Sequence, residues 1–267
     1  MHDDEATVKE GVVTAVKAGE AIVTASSGSA TASCKVTVEE AVVETDMVIN
    51  NAADLKSFAA KVSAGNTTIN GIVKADIDLS SDTEFFGIGT ADHPYAGDFD
   101  GGDHTFTLKL SIKWNDANAD DRMGLIAYAG GARIHNVVLA GSLAVENSAG
   151  LVGCTVSGET TIENCINNAA MTGKDHPIGG ILGDAKAQVS ILNCVNNGTI
   201  GPSSLSSTAK SGSGRGGIVG ALNAENCVVE SCVNHGEMVC LTIGGYSSGY
   251  GGIVGCLAGK GSRVTKC

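Results

Sequence analysis

Residues 216–239 read Gly-Gly-Ile-Val-Gly-Ala-Leu-Asn-Ala-Glu-Asn-Cys-Val-Val-Glu-Ser-Cys-Val-Asn-His-Gly-Glu-Met-Val. Three short apolar runs lie in this stretch, separated by glycine and asparagine, and runs so short suit strands rather than helices. The leading pentapeptide recurs along the second half of the chain. It is Met123-Gly124-Leu125-Ile126-Ala127, then Ala149-Gly150-Leu151-Val152-Gly153, Gly179-Gly180-Ile181-Leu182-Gly183, Gly216-Gly217-Ile218-Val219-Gly220 and Gly251-Gly252-Ile253-Val254-Gly255. A second motif follows each copy: Asn136-Val137, Asn164-Cys165, Asn193-Cys194, Ser231-Cys232 and Lys266-Cys267. From the second glycine to the residue before the Cys or Val the steps are 12, 14, 13, 14 and 14, whereas successive glycines are 26, 30, 37 and 35 apart. A fixed half-repeat alternating with a variable one is the mark of a repeat architecture.

Three strands per repeat close a triangular turn, and successive turns stack as parallel strands about 4.8 Å apart. The shared registry places Ile126, Val152, Leu182, Val219 and Val254 in one apolar row. Cys165, Cys194, Cys232 and Cys267 form another, with Val137 ahead of them. Asn167, Asn196 and Asn234 fall where the chain must bend; asparagine both tolerates left-handed dihedrals and bonds nearby backbone, so stacked amides are expected there.

Upstream, Asn50 and Asn51 offer N-caps for a helix ending near Ala64. Leu55, Phe58, Ala59 and Val62 make its apolar stripe, and Gly65 its stop. Such a helix is well placed to cover the open end of a stack, which otherwise exposes core and strand edges. Residues 41–49 read as a linker.

Residues 1–40 alternate as strands at 11–16, 21–25 and 32–38, with turns at Gly19-Glu20 and Ser27-Gly28-Ser29. From Ala6 to Val38 the order G-V-V-T-A-V-K-A-G, then T-A-S-C-K-V-T-V, resembles the C-terminal half of the group 2 bacterial immunoglobulin-like domain. The family's earlier strands are missing, so the chain reads as a piece of a longer protein whose final turn, stopping at Cys267, would continue. Further on, Tyr95-Ala96-Gly97-Asp98-Phe99-Asp100-Gly101-Gly102-Asp103-His104-Thr105-Phe106 and the G-G-I-V-G copies are similar to GLUG-type repeat proteins. That resemblance, from about Thr45 onward, implies an extracellular β-helical protein of the adhesin-like kind found on gut Bacteroidales. The fold expected is all-β: a right-handed parallel β-helix, or solenoid, over 50–267 with an N-terminal capping helix, preceded by a partial Ig-like β-sandwich module.

Composition narrows the function. Of 267 residues 37 are glycine and only 4% are aromatic, so Val, Ile, Leu, Ala and Cys must fill a narrow core. A net charge of −12 argues against nucleic acid and anionic membranes, which call for a basic face. No run reaches the ~18 apolar residues of a membrane span, and Met1-His2-Asp3-Asp4-Glu5 is no signal peptide. A leader cut from a secreted protein would leave the same sequence, and the resemblance implies an extracellular or cell-surface location.

The nine cysteines recur with the repeat, as packing residues would. A disulfide, with Cys227 and Cys232 the nearest pair, is the alternative, while a metal site lacks any C-x-x-C or spaced His. Asp98, Asp100 and Asp103, beside His104, are candidate Ca²⁺ ligands or an acid–base pair, although a turn in the resembled family accounts for the same run. Asp76/Asp78 and Asp116/Asp120/Asp121 read as solvated strand ends and a polar loop. No catalytic set emerges: Arg133-Ile134-His135 is a poor match to the R-I-K of β-helical polysaccharide enzymes, and His104, His135, His176 and His235 differ in repeat phase. No cofactor is expected. Variable insertions at 203–215 and 241–250 carry Tyr246 and Tyr250, which with Trp114 are the candidate contacts for a glycan or a host or matrix protein. The expected role is adhesin-like binding. A polysaccharide-acting lyase or hydrolase and a non-binding spacer are the alternatives.

Overall fold

A computed structural model of the chain describes residues 6–9, 12–17, 19–38, 45–112, 122–145, 148–173, 176–202, 214–239 and 249–267. The chain divides into a unit of residues 1–44 and a larger one of 45–267. In the first, two antiparallel hairpins form, Ala6–Lys9 with Val12–Ala15 and Gly19–Ser27 with Ala30–Val38. The expected turn at Gly28 forms, with φ 61. Gly19 and Glu20 instead pair with Val38 and Thr37 inside the second hairpin.

Among its described residues the second unit is all-β apart from one helix, and its strands pair in parallel. Each strand hydrogen-bonds to the equivalent strand one repeat along the chain, so sheet order follows chain order. One sheet holds Ile126–Ala129, Val152–Thr155, Leu182–Ala185, Val219–Leu222 and Val254–Leu257, with Ile126, Val152, Leu182, Val219 and Val254 in register. A second runs Asp46–Ile49, Asn70–Val73, Asp98–Asp100, Arg133–His135, Thr160–Glu163, Val189–Leu192, Val228–Glu230 and Arg263–Thr265. Its strands alternate, with Phe99, Ile134, Ile162, Ile191 and Val229 buried and their neighbours facing outward. A third contains Thr105–Ile112, Val138–Val145, Ala170–Gly173 and Ile200–Pro202. Burying each such aliphatic side chain contributes about 1.5–3 kcal/mol, which makes these rows the main support of the stack.

Asp46–Ile49 lies inside the stretch read as a linker, yet it is the end strand of the second sheet, paired with Asn70–Val73. The helix α1, Ala52–Ser63, follows it at once. Asn51 Oδ1 accepts the Asp54 N–H at 3.0 Å as N-cap, and Leu55, Phe58, Ala59 and Val62 are its buried stripe. Phe58 meets Tyr95 and Phe99 at ring-centroid distances of 5.7 and 5.8 Å. No helix among the described residues is long and apolar enough to cross a membrane.

The left-handed residue of each repeat is not the asparagine expected. Asn136, Asn164, Asn193, Ser231 and Lys266, the residues just before Val137 or Cys, have φ of 53 to 56. Asn167, Asn196 and Asn234 do stack their amides, as expected: Asn167 Nδ2 donates to Asn196 Oδ1, and Asn196 Nδ2 to Asn234 Oδ1, each at 2.7 Å. The second glycines of the pentapeptide make room for them. A Cβ on Gly180 or Gly217 would collide with the Asn196 or Asn234 side chain and with the next repeat's backbone.

Candidate functional site

Four of the described thiols repeat one geometry. Cys165, Cys194, Cys232 and Cys267 donate to Ile134 O, Ile162 O, Ile191 O and Val229 O at 3.8, 3.7, 3.6 and 3.7 Å. Each acceptor is the buried residue of the preceding repeat's strand. Contact with the Cys165 thiol and burial push Cys194 up, and contact with Cys194 and burial do the same to Cys232. Burial, reinforced by the Asp184 charge, pushes Cys154 up to about 11. A thiol is nucleophilic as thiolate, so Cys154, Cys194 and Cys232 are core groups and poor nucleophiles, while Cys267 at the chain's end is exposed. Every described cysteine is free, and Cys227 is not joined to Cys232. Cys227 donates instead to Ala224 O at 3.4 Å.

A polar cluster lies on the outer face of the second sheet, where parallel register sets Arg133 beside Asp98 and His135 beside Asp100. His135, with its side chain 10% exposed, has Nε2 2.7 Å from Asp98 Oδ1 and Nδ1 2.9 Å from Asn136 Nδ2. The assignment that satisfies both is Nε2–H donating and Nδ1 accepting. Arg133 reaches Asp98 at 3.2 Å and Glu163 at 2.8 Å, and those two carboxylates hold it firmly protonated, Glu163 first. Burial acts to raise the Asp100 pKa. The Asn136 amide, the Gly102 N–H and the His135 and Lys74 charges outweigh burial and hold it below the usual value.

The three candidate Ca²⁺ ligands are therefore not gathered around a cation. Asp98 and Asp100 are engaged by Arg133, His135, Asn136 and Gly102, and Asp103 sits in the turn at φ 60. Among the described residues no group of three or more His, Cys, Asp or Glu is placed to hold a metal. His104 pairs with Asp76 at 3.2 Å. Sequence reasoning set His135 apart by repeat phase. The signal was there in Asp-Phe-Asp and Arg-Ile-His, two alternating strands 35 residues apart, close to the spacing of a repeat.

Of the three aromatic candidates, Tyr250 is half-buried in the strand Gly249–Gly251. Its ring carries the fully buried Arg215 guanidinium at 5.5 Å, and its hydroxyl accepts from Arg215 Nη1 at 3.4 Å. That ring face is occupied from within the protein. Tyr246, Trp114, Asp116, Asp120 and Asp121 lie outside the described residues.

A groove of about 630 Å³ opens between α1, residues 84–92 and residues 122–128. Asp82, outside the lining itself, holds three of its residues in place. Its Oδ1 accepts the Glu84 and Phe85 N–H groups at 2.8 and 2.9 Å, and its Oδ2 takes Lys56 Nζ of α1 at 2.8 Å. This turn buries Phe85 (4% exposed) and leaves Phe86 outside (53% exposed). Gly87 and Gly89 follow at φ 109 and 83, where a side chain would strike the backbone of Gly124 and Tyr128. They let Ile88 exchange hydrogen bonds with Leu125 and Ala127 at 2.9 and 2.8 Å, which fixes the floor.

No protein-family model and no curated protein matches the sequence. Among solved structures the chain is similar to a crystal structure of a putative immunoglobulin A1 protease from Bacteroides ovatus. The TM-score is 0.58 and the sequence identity 20%, covering 82% of this chain and 63% of that one. At that identity the likeness concerns the fold, and the chain spans less than two thirds of its neighbour's length.

Proposed function

We propose that residues 45–267 are a right-handed parallel β-helix capped by α1, and that the protein is an adhesin-like binding protein of the cell surface or the extracellular space. The parallel sheets in chain order and the resemblance to GLUG-type repeats support the architecture. On this reading the stack is a rigid carrier, and a glycan or a host or matrix protein is its partner. The observation that carries the binding role is the groove beside α1. It is half open, its walls are fixed by Asp82 and two glycines, and it holds an aromatic ring in water, as a preformed ligand site does.

A catalytic role fits less well. His135 has the makings of a general base, but Asp98 and Asn136 occupy both ring nitrogens and leave neither for a substrate. The protease description of the structural neighbour asks for an activated nucleophile or a metal. Cys154, Cys165, Cys194, Cys227 and Cys232 are buried, and Cys194 and Cys232 donate to carbonyls. The test is retention of the labelled protein on arrays of glycans and of immobilised collagen, fibronectin and laminin. Saturable retention on one class supports the reading, and none on either favours the spacer.

A further inference from the structure

The groove has a chemistry narrower than binding in general. Resting on the binding role above, we propose that it takes the neutral end of an oligosaccharide, one or two sugar rings deep, with Phe86 as the stacking platform and Glu84 and Asp92 as hydroxyl acceptors.

Size comes first. About 630 Å³ lies within the roughly 300–1,000 Å³ of small-ligand sites and suits a short saccharide better than a folded partner. The aromatic ring comes next. Phe86 is among the most exposed large apolar residues, and it stands between two held positions: the Phe85 N–H bonded by Asp82, and Gly87, closed in by the Gly124 backbone. A rigidly presented ring in water offers its negative face to C–H groups at little entropic cost, and sugar rings present such C–H faces.

Charge decides the rest. The lining carries Lys56 and Arg122 against Glu84 and Asp92, so neither an anion nor a cation is selected by net charge. Lys56 is held by Asp82 at 2.8 Å. The Glu84 and Asp92 side chains accept no hydrogen bond from any described residue, although Glu84 adds to the field on Lys56. Carboxylates open to the groove are strong acceptors for hydroxyl donors, since O–H···O⁻ bonds are about twice as strong as neutral ones. Thr90 and Ser63 stand on the same lining. A ligand with one apolar face and a rim of hydroxyls matches that arrangement.

The experiment uses the full chain on an array of neutral, sialylated and sulfated oligosaccharides alongside the three matrix proteins, with Phe86→Ala, Phe86→Trp and Asp92→Asn as variants. Circular dichroism confirms that each is folded. The expected result is binding to neutral glycans, weakened about tenfold or more by Phe86→Ala and by Asp92→Asn and retained by Phe86→Trp. Neutral-glycan binding unchanged in both weakening variants would overturn the groove assignment and leave the binding role standing. So would binding confined to matrix proteins or to charged glycans. No binding anywhere would overturn both.

Discussion

Asn193 holds φ 53 and is followed by Cys194, whose thiol turns inward to Ile162 O. An L-residue in that backbone region costs roughly 1–2 kcal/mol, less for asparagine and nothing for glycine. Asn193→Ala should therefore lower stability in urea by about 1 kcal/mol, while Asn193→Gly should be close to neutral. Ser231 and Lys266 take the same φ without being asparagine, so the stack and not the residue type dictates it. Sequence reasoning gave Asn167, Asn196 and Asn234 both the bend and the stacked amides, because asparagine suits either; the amides do stack, and the left-handed residue lies elsewhere. The cysteines were easier, because their spacing follows the apolar rows. In native protein at pH 8 a thiol reagent should label exposed Cys34 and Cys267 quickly, and Cys154, Cys165, Cys194, Cys227 and Cys232 only after denaturation. Asp100 sets a pH dependence. Its folded pKa lies below the unfolded value of about 3.9. Its contribution is fully present above that value and is lost as pH falls through the folded pKa. Urea midpoints should fall below about pH 4, and the fall should be shallower in Asp100→Asn.

At the scale of elements, α1 was readable in full because capping and a 3.6-residue stripe are local signals, and Asn51, Leu55, Phe58, Ala59 and Val62 carry them alone. The strand Asp46–Ile49 was not. Four residues before a helix have no periodicity of their own, and only pairing with Asn70–Val73 makes them a strand. Phe58 ties the helix to Tyr95 and Phe99, which in turn meets Phe106 at 5.9 Å. Gly71 leaves room for Phe99 where a Cβ would strike its ring. Phe58→Ala should cost about 3–5 kcal/mol, seen as a lowered urea midpoint at unchanged slope. A change within ±0.5 kcal/mol, the surface-substitution range, would mean that α1 is not packed on this core.

For the whole molecule, repetition makes the parallel rows legible, since one register error would turn every side chain of a strand outward. The groove was hidden for the opposite reason. Its walls come from residues 56–63 and 84–92, outside the pentapeptide copies, and from residues 122–128 around the first copy, and only folding brings them together. The polar cluster at His135 is satisfied internally, whereas the groove presents open acceptors and an exposed ring, and that contrast is the ground for reading a binder and not a catalyst. The most direct test measures both properties in one experiment. The full chain is incubated with polysaccharides and with immunoglobulin A1, recording retention on each and product release from each. The account predicts saturable retention on a glycan, with no cleavage of polysaccharide or antibody. Cleavage that disappears in His135→Ala or Asp98→Asn, with both variants still folded, would contradict it.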